Sequence, residues 1–329
     1  MAICPVCAAD SFLTIVSAEE LQQECRARDK FVGNRLSRPA TEQELKDLTD
    51  FFHSETAHLI ECSNCGLLIR REHEAPAAER YSNDEYDPEA IENVYPQYLE
   101  AFRAKQETYR GLLQPGARVL EIGSHYGAFL QTASEWGWKA EGVDVGEDTT
   151  RFARSKGLTV HHCALEDCRF ANGSFDAVFI WNCYEQIDDP KPTLAESRRL
   201  LSPGGILVVR TPSGLFYSTC QRLLRDPTLR ADAKEFLLGS MAYNNLLGFP
   251  YLYGHGPATL IRQIEPFGFG KEGFVNSELL TLPLPEQPDW VDREERVINE
   301  GTRLLANWVL ADGAGSFSGP WIEVWFRAA

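Results

Sequence analysis

Apolar residues fall along the chain in short runs separated by amphipathic stretches, and the alternation is densest between residues 118 and 212. "RVLEI" has strand composition, and in the following "AFLQTASEWG" Phe129, Leu130, Ala133 and Trp136 recur on one face of a helix. "KAEGVDV" predicts a second strand, and "EDTTRFARSKG" a second helix ending on Gly157. "LTVHH" gives a third strand and "FDAVFIWN" a fourth, apolar for most of its length. "KPTLAESRRLL" is a helix stopped by "SPGG", and "ILVVRTP" a fifth strand. Parallel strands need long crossovers that cover both faces, so this rhythm predicts an α/β fold with a parallel sheet between helices.

The pattern changes outside that block. Residues 1–70 begin and end with cysteine pairs around a polar, helix-patterned insert, "AEELQQECRARDKFV" and "TEQELKDLTDFFH". Residues 71–96, rich in Glu, Asp, Tyr and Pro, read as a connector, and a helix is expected from about Gln97 to Leu113. Residues 213–257 interrupt the rhythm with aromatics and loops. "PATLIRQIEPFGF" then predicts a helix, "KEGFVNSELLTL" a sixth strand, "DREERVINEGTRLLANWVL" a helix and "WIEVWFRA" a last strand. The expected division is a small module at 1–70, a connector and helix at 71–112, and an α/β domain at 113–329 with 213–257 as a lid.

Composition narrows the functions. The 329 residues are 43% hydrophobic and 24% charged, as in an ordinary globular protein. A formal net charge of −16 with no basic face disfavours nucleic acid as a partner. "MAICPVCAAD" lacks a basic n-region and an apolar h-region, and no stretch reaches the roughly 20 apolar residues of a membrane span. The expectation is a cytoplasmic chain with no membrane partner, whose nine cysteines serve as thiols and metal ligands. Nothing in the pattern sets an oligomeric state.

The strand–glycine turn–helix "VLEIGSHYGAFL" carries the chemistry. A dinucleotide site needs a middle glycine so that the backbone can approach a pyrophosphate. Here His125 stands between Gly123 and Gly127, and Glu121 would repel a diphosphate. A cofactor with ribose and adenine but no phosphate meets neither objection, and the cationic sulfonium and ammonium of S-adenosylmethionine welcome a nearby carboxylate. Asp144, 21 residues after Gly123, ends the second strand where an acid can chelate ribose hydroxyls. Val145 adjoins it, Leu165 and Glu166 in "ALEDCRF" fall where the adenine rim would lie, and Asn182 tips the fourth strand toward the methyl donor.

With "GVDV", "LEDCRF", "FDAVFIWNCYEQIDDP", "LAESRRLLSPGGILVVRTPS" and the final "WIEVWFR", residues from about 110 to 329 resemble class I S-adenosylmethionine-dependent methyltransferases. That resemblance implies a Rossmann-like sheet of seven strands with the seventh antiparallel. It also implies methyl transfer, with Glu121, Gly123, Ser124, Gly127, Asp144, Val145, Leu165, Glu166 and Asn182 around the cofactor. Two departures are His125, at a common glycine position, and Gln186, where many relatives have histidine.

Cys4-Pro-Val-Cys7 and Cys62-Ser-Asn-Cys65-Gly66 are two C-x-x-C knuckles, 54 residues apart. Free thiols or a redox pair are alternatives. Two knuckles bracketing one module favour a structural, zinc-ribbon-like Cys4 site, the second knuckle forming a rubredoxin-like hairpin. Cys25, Cys163, Cys168, Cys183 and Cys220 lack a partner spacing and are expected as buried small hydrophobes. The combination of module and domain resembles deoxysugar C-methyltransferases of natural-product pathways, which carry a further C-terminal domain; this chain ends at the expected seventh strand.

The acceptor is therefore expected to be a small or medium polar molecule, sugar-like or natural-product-like. "GFPYLYGHGPATL" offers Tyr253 and His255 on one face, and Glu185 follows the fourth strand; these three are the candidate catalytic residues, with His255 or Glu185 as base. A non-catalytic partner protein of the same fold is the alternative. A nucleic-acid methyltransferase is disfavoured by acidity and by "WNCYEQ" at the fourth strand's tip.

Overall fold

The computed structural model describes residues 3–37, 57–71, 88–109, 111–249, 252–277, 287–311 and 318–329. The expected helix in "TEQELKDLTDFFH" lies outside the described residues, as do residues 72–87 of the expected connector and Tyr251 of the expected lid segment. The chain divides into two compact units: Met1–Glu74 with Pro212–Gln263 and Val275–Ile322, and Ala75–Thr211 with Ile264–Phe274 and Glu323–Ala329. The insert at 213–257 thus falls in the same unit as the cysteine knuckles, whereas the sequence pattern grouped it with the α/β domain.

The second unit is built on a seven-stranded sheet. Its strands are β4 (Arg118–Ile122), β5 (Lys139–Asp144), β6 (Val160–His162), β7 (Phe175–Trp181), β8 (Leu201–Pro212), β10 (Phe269–Ser277) and β11 (Trp321–Ala328). Their order is β10-β11-β8-β7-β4-β5-β6, with one strand antiparallel. β4 lies between β5 and β7, parallel to both, so the strand order reverses beside it. Ligands of open α/β sheets bind outside the strand C-termini at such a reversal.

Burial of Val119, Leu120, Phe179, Ile180, Val208 and Val209 explains the apolar runs read as strands. Phe129 from the following helix packs against Phe179 at 4.7 Å between ring centroids. Truncating a fully buried phenylalanine of this kind costs about 3–5 kcal/mol. β8 begins at Leu201, earlier than expected, because the "SPGG" residues continue it through an irregularity: Phe175 pairs with Leu201, but Ala177 pairs with Ile206.

The helix expected from about Gln97 starts at Pro88 and ends at Arg103, followed by a separate turn of helix at Gln106–Tyr109. Proline suits the first helical position. Pro96 sits in the interior at a normal cost of about 3 kcal/mol. Ile91, Tyr95, Leu99 and Phe102 form a buried stripe at helical spacing, and that burial outweighs the proline.

The first unit has a four-stranded sheet in the order β1-β2-β3-β9: β1 (Phe12–Val16), β2 (His58–Cys62), β3 (Leu68–Arg71) and β9 (Tyr253–Gly254). β2 and β3 are the expected hairpin around the second knuckle. The helix Ala18–Gly33 opens with a reciprocal capping box between Ser17 and Glu20. The 213–257 segment, expected as loops, holds helices Gly214–Leu224 and Ala231–Tyr243, and Phe216, Met241, Leu246 and Phe249 pack with Leu59 and Leu68 in one core. No helix among the described residues is long and apolar enough to cross a membrane.

Candidate cofactor and acceptor site

The turn after β4 explains how the sequence tolerates His125. Gly123, His125 and Gly127 have φ values of 70°, 49° and 76°, all left-handed. Histidine is among the non-glycine residues enriched there, so the position does not exclude a side chain. The His125 ring is exposed, beside Tyr126 with centroids 3.6 Å apart. A Cβ on Gly123 would lie 2.6 Å from Cys183 Sγ, so glycine is required where the turn meets the end of β7.

Asp144 braces this turn. It accepts hydrogen bonds from the His125 amide at 2.7 Å, the Gly146 amide at 2.8 Å and the Thr149 hydroxyl at 3.0 Å. A carboxylate has about four acceptor positions. Chelating two ribose hydroxyls would require it to give up at least one of these bonds.

Glu121 is 3% exposed, and its Oε2 has no hydrogen-bond partner among the described residues. Burial first, and the Asp144 charge second, push its carboxyl well above the usual range. A buried, unpartnered carboxyl is costly without a compensating donor. The Ser124 hydroxyl, in the same turn, is also buried without a partner among the described residues.

Leu165 is buried in the 3₁₀ turn Leu165–Asp167, while Glu166 is exposed and accepts from Thr193 Oγ1 at 2.6 Å. Val145 is half-buried and its carbonyl contacts His162 Nε2 at 3.0 Å. Cys163 and Cys168, expected as isolated buried thiols, instead form a disulfide around this turn. Their five-residue separation matches no metal or redox motif, so pattern alone does not pair them.

Asn182 caps β7 at φ 57°. Its amide donates to the Arg210 carbonyl at 3.1 Å, and its side-chain oxygen accepts from Arg210 Nη1. Glu185, 1% exposed, accepts from Thr211 Oγ1 at 3.1 Å and Gln186 Nε2 at 3.2 Å. Burial raises its carboxyl above the ordinary value. Gln186 also donates to the Asn182 carbonyl at 3.1 Å, so it ties the two residues together.

A buried ionic group beside them was not anticipated. Arg210 on β8 pairs with Glu323 on β11 at 3.3 Å, and Lys105 and Tyr109 both donate to Glu323. Burial works to raise the Glu323 carboxyl, but Lys105 and Arg210 outweigh it and hold it below its usual value. The available signal was a charge inside each apolar strand, "ILVVRTP" and "WIEVWF": such charges are stable only when paired.

Tyr253 and His255 belong to the first unit. β9 pairs Tyr253 with Ile69 and Gly254 with Leu68, so the expected lid segment supplies the fourth strand of the knuckle module's sheet. The two rings lie 6.3 Å apart. His255 is fully buried, and burial pushes its imidazole down to about 3.

In the same unit Cys4, Cys7, Cys62 and Cys65 converge, their sulfurs all within 4.8 Å of one another. Cys4 and Cys65 sulfurs are 3.6 Å apart, and those of Cys7 and Cys62 3.5 Å. Left-handed Ala8 and Gly66 turn the chain just after each knuckle.

The strand order, the reversal beside β4 and the two acids at adjacent strand ends define an α/β methyltransferase sheet. Residues 92–247 match the family described as "Methyltransferase domain". A ubiquinone biosynthesis O-methyltransferase of Thiobacillus denitrificans is 26% identical over 173 residues, covering 50% of this chain and 67% of that protein. One from Xanthomonas oryzae is 31% identical over 107 residues, 29% of this chain and 43% of that protein. A solved S-adenosylmethionine-dependent methyltransferase from Mesorhizobium loti shares 18% identity at a TM-score of 0.46, over 68% of this chain and 97% of that one. The chain spans between 41% and 67% of the length of the curated relatives it matches.

Proposed function

We propose that the chain transfers a methyl group from S-adenosylmethionine to a small or medium polar acceptor. The observation that carries this reading is Glu121: a buried carboxyl with an unpartnered oxygen, beside the strand reversal. The residues present fit a cationic nucleoside. Glu121 would take its ammonium, Asp144 its ribose hydroxyls, Val145 and Leu165 its adenine, and the Gly123–Gly127 turn would pass beneath it. Bound there, S-adenosylmethionine would supply an electrophilic methyl group on sulfur.

The chain's own task is then to align a nucleophile and remove its proton. Of the candidate bases, Glu185 is favoured over His255. Its raised carboxyl, held by Thr211 and Gln186, is the more basic of the two, since burial leaves the His255 ring a very weak base. The names of the relatives, which act in ubiquinone biosynthesis as O-methyltransferases, support an oxygen nucleophile on the acceptor. Glu185→Gln should lower kcat about 10²–10⁴-fold with S-adenosylmethionine affinity retained; an unchanged kcat would remove Glu185 from the chemistry.

The four converging thiols support a structural zinc site. Tetrahedral Zn–S bonds of about 2.3 Å place sulfurs roughly 3.8 Å apart, close to the spacing observed. Four thiolates would close the shell, so this site takes no part in methyl transfer.

A further inference from the structure

The surface of the first unit carries an exposed apolar stripe, with the Arg35 guanidinium 5.8 Å from the ring centroid of Trp290 at one end. Among the described residues six large hydrophobics are exposed, and three of them, Trp290, Val297 and Leu304, lie on the helix Asp289–Ala311 at intervals of seven. Their exposures are 43%, 68% and 65%. A fourth, Leu238, is on the helix Ala231–Tyr243. That helix runs antiparallel beside the first, as Ser240 meets Thr302 and Tyr243 meets Glu294. The inward face is already filled: Asn299 and Thr302 are buried against Asn244 and Ser240. The heptad stripe therefore faces away from its own core. A straight helix drifts about 20° per heptad, so three residues over about 21 Å stay on one face.

We propose that this helix pairs with the same helix of a second copy, antiparallel, about a two-fold axis at Val297. The charges on the stripe select this occupant and this direction. Arg293 and Glu300 are exposed between the apolar positions, and neither has an ion-pair partner among the described residues. Antiparallel pairing sets Trp290 against the partner's Leu304 and Val297 against itself. It also sets Arg293 against the partner's Glu300, twice by symmetry. In a parallel pair the two-fold would run along the helices and carry Arg293 and the partner's Glu300 to opposite flanks, where this pairing is lost. The fully exposed charges of the segment, Asp289, Asp292, Arg293, Arg296, Glu300 and Arg303, sum to zero, half-buried Glu294 is paired with Arg35, and half-buried Glu295 adds one negative charge. On a chain of net charge −16, this face is nearly neutral, so a second copy can approach it with little repulsion.

The test is sedimentation velocity on the full chain between about 1 and 100 µM, the range expected when one helix face supplies a small interface. Wild type should convert from monomer to dimer across that range. Val297→Glu, at an outward position that leaves the fold and thermal melt unchanged, should weaken association at least about 100-fold. Arg293→Glu should weaken it about tenfold, and the Arg293→Glu, Glu300→Arg double variant should restore it. A monomer at 100 µM, or a dimer indifferent to Val297→Glu, would overturn the proposal. A double variant as weak as Arg293→Glu would overturn the antiparallel register.

Discussion

Replacing Glu121 with glutamine separates what this carboxyl does for the fold from what it does for a ligand. The side chain is 3% exposed, one oxygen has no partner among the described residues, and burial and Asp144 both raise its pKa. Because the folded value lies above the unfolded value, the stability tied to this group is fully present below the unfolded pKa of about 4.3. It is lost as pH rises toward the folded value. Glutamine keeps the shape and removes the ionisation. The ligand-free variant should thus be more stable than wild type by about 1–3 kcal/mol at pH 8, with the difference shrinking toward pH 4. Binding should move the other way. A charge-assisted hydrogen bond to a ligand ammonium is worth about 1.5–3 kcal/mol, so S-adenosylmethionine affinity should fall about 10–150-fold. In wild type, a bound cation favours the carboxylate, so binding should release a proton and tighten as pH rises. Thermal melts across pH, with calorimetry in buffers of different ionisation enthalpy, measure both halves. A variant that binds as tightly as wild type, or loses stability when ligand-free, would refute the reasoning.

Asp144→Asn should weaken S-adenosylmethionine binding about 10-fold or more and also loosen the turn, seen as faster amide exchange at His125 and Gly146. His255, held near 3 by burial against an unfolded value of about 6.5, supports stability fully above pH 6.5 and progressively less below it. The loss should be about 1.4 kcal/mol at pH 5.5 and approach about 5 kcal/mol near pH 3, and His255→Gln should flatten that slope. A wild-type melt insensitive to pH between 6.5 and 4.5 would contradict the burial. Metal analysis should find about one zinc per chain, and Cys62→Ser should lose it and destabilise the knuckle module while leaving cofactor affinity within about twofold. A metal-free protein of normal stability would remove the zinc site.

The readable part of this structure is its local part. A strand, a glycine turn, a helix and an acid at the next strand end are set by neighbouring residues, so β4, β5 and the Gly123–Gly127 turn can be placed from the pattern. The knuckles read equally well, because each needs only two residues between its thiols and a left-handed residue just after them. Long-range pairing is what the pattern does not carry. β9 is two residues long, and its place beside β3 depends on a partner nearly two hundred residues earlier. The helix around Pro96 is expected to start only at about Gln97, since proline reads as a breaker, while the stripe that holds its first turns becomes visible only against its packing partner. His255 illustrates the limit for chemistry: its identity suggests a base, but its burial makes it a poor one. Arg210 and Glu323 were visible as charges in apolar strands, yet nothing local says that they meet.

Titration calorimetry of the purified full chain with S-adenosylmethionine, and separately with NAD, tests the central claim most directly. The account predicts one S-adenosylmethionine bound per chain with proton release, at least about 10-fold weaker binding in Asp144→Asn, and no heat from NAD beyond dilution. No S-adenosylmethionine binding, or saturable binding of NAD in its place, would contradict it.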